Sequence, residues 1–407
     1  MPKDVRILFI TRMLRLFAYG SISVILLLYL ARIGLSDTQI GLLLTLTLLG
    51  DTLISLWLTT RADYVGRRGM LILGAVLMIF GGVMFAVTTN FAFLLLAATI
   101  GVISPSGNEV GPFLSIEQAA LSGLIPSERR TGLFAWYNLV GSFTTALGAL
   151  AAGTLVQTLQ GMLTTPLESY RIVVIGYAGI GLVLACLFLR LGPSVEVSPA
   201  DRQEIPSDIR KRFGLHQSRR VVFKLSGLFS LDAFAGGFIL QSIMAYWFHI
   251  RFGAEPALLG GIFFGANILA GISALSAARI ASRIGLIRTM VFTHIPSNVL
   301  LMLVPLMPDL TSAIIVLLLR FSISQMDVPT RQSYVMAVVS PDERSAAAGV
   351  TGVARTIGAS MSPVLTGPLL ASSALASMPF FISGGLKIIY DLLLYRSFKH
   401  DTAPEEK

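Results

Sequence analysis

Charge is scarce in this chain. Asp, Glu, Lys and Arg make up 13% of its 407 residues. A soluble domain needs roughly 25% to cover its surface, so a water-soluble globule of this length is excluded. Cysteine is nearly missing: the single Cys186 lies in an apolar run, which leaves no intramolecular disulfide and no multi-thiolate metal site. Of the four histidines, only His249 and His294 approach apolar stretches, and they do so on separate ones without metal-ligand spacing. An intramembrane metalloenzyme therefore has no ligand set. No phosphate-cradling loop of the G-x-x-x-x-G-K-[S/T] form is present, so direct ATP drive has no binding element.

Apolar residues are what the chain has in abundance, 54% by the hydrophobic set with a mean hydropathy of +0.76. A hydrocarbon core of roughly 30 Å is crossed by about 20 such residues in a helix, and runs of that length recur with short connections. The pattern predicts twelve spans, at 7–31, 38–60, 70–89, 91–124, 131–158, 171–191, 220–250, 256–278, 288–307, 311–339, 345–371 and 376–396. Gly34, Ser36 and Asp37 punctuate the first connection, Asn90 the third, Pro126 and Ser127 the fourth, and Pro308 and Asp309 the ninth. The first run is too long for a signal-peptide core and is expected to remain as helix 1. The fold class expected is an all-α polytopic membrane protein with twelve transmembrane helices.

The net charge of +9 does not point to nucleic acid, because the basic residues sit in short loops between apolar runs. With the amino terminus inside, only Arg32, Arg171 and Arg251 fall at outer ends, and the remaining loop Lys and Arg residues fall at cytoplasmic ends. That bias sets topology and predicts both termini cytoplasmic. Residues 192–219 form the one long polar stretch, with Pro193, Pro199, Pro206 and the cluster Arg210, Lys211 and Arg212. It reads as a cytoplasmic linker between a first six-helix bundle, 1–191, and a second, 220–407, with a short cytoplasmic tail. Its basic cluster suits anionic lipid headgroups.

The two halves share a pattern. Sliding one over the other places Arg32, Gly34 and Gly41 on Arg251, Gly253 and Gly260, and Gly66 on Gly285. Pro126-Ser127-Glu128-Arg129 is similar to Pro341-Asp342-Glu343-Arg344, and Gly148 to Gly153 falls on Ser362 to Gly367. A duplicated six-helix unit is an architecture of many secondary transporters.

Between spans 2 and 3 stands Thr59-Thr60-Arg61-Ala62-Asp63-Tyr64-Val65-Gly66-Arg67-Arg68. Its D-x-x-G-R-R core resembles the major facilitator superfamily signature G-x-L-A-D-R-x-G-R-R, with Thr59, Arg61 and Tyr64 departing from it. Gly148-Ala149-Leu150-Ala151-Ala152-Gly153 resembles the G-P-x-x-G-G segment of that family's antiporters, with Ala149 in place of the proline and Ala152 in place of a glycine. The resemblance implies a major facilitator fold of two pseudo-symmetric six-helix bundles, working by alternating access, with helices 1, 4, 7 and 10 lining a central cavity. It also implies that the Asp63, Gly66, Arg67 and Arg68 loop gates the cytoplasmic side by meeting an acid at the inner end of helix 4, for which Glu117 is the candidate.

An ionisable group at mid-membrane costs about 2.5–3.5 kcal/mol even on the lenient insertion scale, so such residues mark function. The spans hold Arg12, Arg15, Asp51, Glu109, Glu117, Asp232, Arg320, Asp327, Arg331, Arg355, Lys387 and Asp391. Most lie on helices 1, 4, 7 and 10. The expected substrate or proton site comprises Arg15, Tyr19, Asn108, Glu109, Asp232, Arg320 and Asp327. Tyr246 and Trp247 are further aromatics for an organic ligand. Ser104 to Pro112, with two prolines and two glycines, predicts a broken helix 4, tolerated at membrane depth only where protein or cavity water satisfies the backbone. Asp327 and Arg331 form an i,i+4 pair with the acid first; Arg320 lacks a local partner and is expected to find Asp232 or bound substrate. Lys387 and Asp391, also i,i+4, are expected to pair with each other. Asp51 and Arg355 lie about 14 and 15 Å from their cytoplasmic ends at 1.5 Å per residue; with helices 2 and 11 adjacent in the family fold, they are expected to form a gating latch.

The function expected is secondary transport of a small organic solute, proton-coupled and directed outward as antiport. The alternatives are proton-coupled uptake of an anionic solute, suggested by Arg15 and Arg320, and, outside solute transport, a lipid flippase or a non-transporting receptor. The expected partners are a small-molecule substrate and membrane lipids, with no nucleic acid, no metal and no cofactor beyond the coupling proton. The chain is expected to act as a monomer in a bacterial inner membrane.

Overall fold

A computed structural model describes residues 2–162, 165–196, 217–340 and 343–398. The linker cluster Arg210, Lys211 and Arg212 lies outside the described residues, as does most of the expected linker. Sixteen α-helices follow in order: α1 Lys3–Arg32, α2 Asp37–Val65, α3 Arg67–Val87, α4 Phe91–Ile100, α5 Phe113–Leu124, α6 Ser127–Gly161, α7 Pro166–Leu189, α8 Arg219–Gly237, α9 Gln241–Phe252, α10 Pro256–Ile284, α11 Leu286–Leu303, α12 Leu310–Phe321, α13 Asp327–Val338, α14 Arg344–Met361, α15 Pro363–Leu370 and α16 Met378–Phe398. Among the described residues, nine helical stretches are long and apolar enough to cross a membrane. The other three expected spans are interrupted ones: α4 with α5, α12 with α13, and α14 with α15.

Helix starts follow the turn residues. Ser36 and Gln39 close a capping box on α2, Thr165 and Glu168 close another on α7, and the Asn90 side chain accepts from Ala92 N–H at the start of α4. Asp309 caps α12 by accepting from Ser312 N–H at 3.0 Å; with the Ser312 hydroxyl also donating, its carboxyl is held below the usual carboxylate range.

Helix 4 breaks where the prolines and glycines predict, between Ile100 and Phe113. Three other breaks correct the expected continuous spans. Span 7 parts after Gly236 and Gly237, a pair that costs a helix about 1 kcal/mol per glycine, and resumes at Gln241. Span 10 parts at Ser322–Met326, just before Pro329 in the first turn of α13. Proline has no N–H to return to the carbonyl four residues back, so a first turn suits it and a continuous helix does not. Span 11 breaks at Ser362 for the same reason, with Pro363 opening α15.

The chain packs into two compact units. In the first, made of α1–α7 with residues 240–264, α1 is central. Gly20 of α1 lies against the Thr145 carbonyl of α6, and Gly148 of α6 lies against the Phe17 carbonyl of α1. A side chain at either glycine would overlap backbone, so these two positions let the helices touch. Gly153 similarly meets the Pro256 carbonyl and Gly260. In the second unit the corresponding first and fifth spans repeat the device: Gly237 of α8 meets Ala359 of α14, and Gly358 of α14 meets Ser230 of α8. One end of this unit is an apolar core of Val222, Leu225, Phe229, Met290, Val291, Tyr334, Tyr390 and Leu394.

Candidate functional site

Each unit contains a buried charge cluster. In the first, Arg12 and Arg15 stand three apart on one face of α1. The Arg15 guanidinium is fully buried and forks onto Glu117 of α5, at 2.8 Å to Oε1 and 2.7 Å to Oε2. Its Nε reaches Glu109 at 2.6 Å. Arg12 holds the other Glu109 oxygen at 2.9 Å and donates to the Tyr137 carbonyl at 2.9 Å. Thr11 and the Tyr137 hydroxyl also donate to Glu117. Two cations meet two carboxylates, each with geometry that offsets desolvation.

The broken stretch between α4 and α5 is satisfied from all sides, as burial requires. Asp51 of α2 accepts from Gly111 N–H at 2.6 Å and from the Ser55 hydroxyl. The Tyr177 hydroxyl donates to Val102 O, Tyr19 donates to Val110 O at 3.2 Å, and Pro105 O accepts from Ser242 N–H. Tyr19 is completely buried, so the expectation of an open ligand-facing ring is corrected: its hydroxyl serves the broken backbone. Trp247 is also fully buried, packed edge-on against Phe248 and Phe252, and Tyr246 donates to Asp37. Asn108 is exposed.

The loop between α2 and α3 turns at Gly66, whose φ of 124° favours glycine. Asp63 pairs with Arg67 at 2.9 Å. The acid that meets this loop is Glu196, which accepts from the backbone N–H of Arg67 at 2.7 Å and of Arg68 at 3.1 Å. The expected Glu117 partnership is thereby corrected, because Glu117 is enclosed by Arg15, Thr11 and Tyr137. A carboxylate at a helix start is favoured by the unsatisfied N–H groups there. Glu196 directly follows the short Pro193–Val195 turn after span 6, a placement that a search confined to spans misses.

The second unit's cluster centres on Asp232 of α8, only 4% exposed. Lys387 of α16 reaches its Oδ1 at 2.6 Å, Arg331 of α13 its Oδ2 at 3.3 Å, and His294 Nε2 of α11 stands 4.0 Å from Oδ1. The other His294 nitrogen, Nδ1, lies 2.9 Å from Asp391, which also accepts from Asn298 at 3.3 Å. An ionised carboxylate only accepts, so Nδ1 carries the hydrogen in that bond. Asp327 and Arg331 pair at 2.8 Å, as their spacing predicts. The expected Lys387–Asp391 pair is replaced: the long lysine reaches across to α8, and α11 supplies both partners of Asp391. Arg320 does not meet Asp232, whose oxygens Lys387 and Arg331 hold; its guanidinium stands 4.9 Å from the Phe321 ring. Arg355 lies in the field of Asp232, Asp327 and Arg331, and its Nη1 has no hydrogen-bond partner among the described residues. Sequence reasoning placed Lys387, Asp391 and His294 outside the site because it looked for partners along each helix.

The sequence profile of the Major Facilitator Superfamily matches residues 8–363. The chain belongs to this family. Across 418 aligned residues it is 31% identical to an uncharacterized membrane protein of Saccharomyces cerevisiae, covering 96% of this chain and 93% of that one. Over 162 residues it is 25% identical to the quinolone resistance protein NorA of Staphylococcus aureus, 40% of each chain. The crystal structure of a D-xylose-proton symporter superposes with a TM-score of 0.74 at 16% identity, covering 99% of this chain and 98% of that one. This major facilitator protein is thus an all-helical, multi-pass integral membrane protein, and the twelve-helix fold read from its sequence stands.

Proposed function

We propose that this chain is a secondary transporter that moves a small organic solute by alternating access, with protons as the driving ion and outward antiport as the working mode. The observation that carries the reading is Asp232, a buried carboxylate contacted by Lys387 and Arg331 with His294 beside it. Its negative charge is tolerable only while those cations stay. Withdrawal of Lys387 and Arg331 in another state leaves the carboxylate uncompensated, and uptake of a proton restores neutrality. Asp327, shared with Arg331, is the second carboxylate able to take that role, and His294 with Asp391 is placed to pass the proton on. Glu109 and Asn108, on the broken stretch, belong to the substrate path. Asp63, Gly66, Arg67 and Arg68 with Glu196 gate the cytoplasmic side, and both termini are cytoplasmic.

Outward direction is supported by the likeness to NorA over part of the chain and by the glycines at 148 and 153, which make backbone contacts in the antiporter-like segment. A second reading, proton-coupled uptake of an anionic solute, is favoured by Arg320. Arg15 no longer supports it, since two glutamates occupy its guanidinium. The test uses proteoliposomes loaded with a pH-sensitive dye and a substrate found by thermal-shift screening against organic anions, cations, sugars and lipids. Substrate entering by exchange for protons gives antiport; substrate and protons moving together gives symport. Substrate movement with no proton flux of either sign would overturn proton coupling.

A further inference from the structure

The described part of the second unit contains five carboxylates, and each is already engaged. Asp232 is held by Lys387 and Arg331, Asp327 by Arg331, and Asp391 by His294 and Asn298. Asp309 caps α12, and Glu343 accepts from the N–H groups of Gln217 and Ser218. Arg320 therefore has no carboxylate left to pair with. It is 7% exposed, its Nε has no hydrogen-bond partner among the described residues, and the one carboxylate acting on it electrostatically is Asp327, bonded to Arg331.

The position is held in place. Arg320 is in the last turn of α12, where a cation is favoured by the helix dipole, and Phe321 flanks its guanidinium. The turn that follows is fixed by Ser322 N–H to Leu318 O and Ile323 N–H to Arg320 O. Within that turn, Ser324 is 5% exposed and its hydroxyl likewise has no partner. Two buried donors left open within four residues of one another, at a helix break, suit an acceptor supplied from outside. The charge count favours an acceptor of negative sign. Within the spans of this unit, away from their ends, the four cations Arg320, Arg331, Arg355 and Lys387 outnumber the three carboxylates Asp232, Asp327 and Asp391 by one.

We propose that Arg320, assisted by the Ser324 hydroxyl, binds the carboxylate of a monoanionic organic substrate. The inference deepens the transport reading above by naming the substrate class, and it holds for either direction of transport. A guanidinium offers two parallel N–H donors to a carboxylate, which a lysine ammonium does not reproduce.

The test is calorimetric titration of the purified full-length protein in detergent, without a pH gradient, so that failure of proton coupling leaves it intact. The probes are monocarboxylates from acetate to octanoate together with benzoate, each beside its primary amide. Inorganic phosphate and phosphatidylglycerol micelles are added separately. At least one carboxylate should bind while its amide does not. Arg320→Gln should weaken that binding at least tenfold, Arg320→Lys should weaken it while preserving the fold, and Ser324→Ala should weaken it two- to threefold. The proposal is overturned by amides that bind as well as acids, by binding of phosphate or phosphatidylglycerol alone, by a panel with no binder, or by unchanged affinity in Arg320→Lys and Arg320→Gln.

Discussion

Replacing Glu117 with Gln tests whether the first unit's cluster is structural. Arg15 is fully buried, and Glu117 supplies two of its three carboxylate contacts, at 2.8 and 2.7 Å. In Glu117→Gln the guanidinium keeps one carboxylate, Glu109 at 2.6 Å, and one amide oxygen, while the new NH2 group points a donor at another donor. Removing one partner of a buried ion pair costs about 3–5 kcal/mol. At about 2–4 °C per kcal/mol for a unit of this size, Tm should fall by roughly 6–20 °C. Replacing both charges, Arg15→Met with Glu117→Leu, should recover most of that loss, since Glu109 retains Arg12 at 2.9 Å. The assay is intrinsic tryptophan fluorescence of the purified protein during heating in detergent. A Glu117→Gln protein melting within about 2 °C of the parent, well below the fall expected for a lost buried pair, would refute the reasoning. It would return Arg15 to the list of residues free to meet substrate.

Three further outcomes follow from the geometry. Gly20→Ala puts a methyl group into the Thr145 carbonyl and should cost about 1–3 kcal/mol by overpacking, measured as a lower Tm with no change in expression. Glu196→Gln weakens the charged cap on the start of α3 by about 0.3–1 kcal/mol, which should appear as faster hydrogen exchange at the Arg67 and Arg68 amides. His294→Ala leaves Asp391 with Asn298 alone and should destabilise by about 1–3 kcal/mol; His294→Gln, which restores a donor, should regain part of it.

What was legible in the sequence was set by local physics. Run length made the number of spans legible, because a hydrocarbon core of roughly 30 Å demands about 20 apolar residues per helix. The helix 4 break was legible because Pro105, Gly107, Gly111 and Pro112 mark it directly. The span 10 break was not, since its only mark, Pro329, lies downstream of the turn it causes. Charged positions were found by their rarity, yet their partners were not. Spacing identified Asp327–Arg331 but misassigned Lys387 and Glu117, because a long side chain chooses among neighbouring helices whose rotation and depth one sequence does not encode. Tyr19 shows the same limit: its aromatic character was visible, whereas the backbone carbonyl of Val110 that claims its hydroxyl comes from a break on another helix.

The central claim is that Asp232 exchanges its cationic partners for the transported proton. Asp232→Asn in proteoliposomes tests it most directly, with one substrate measured in two ways. The account predicts that uphill accumulation driven by a pH gradient is lost while substrate exchange at equal pH continues, because the neutral side chain mimics the protonated state permanently. Retention of full pH-driven accumulation by Asp232→Asn would contradict it.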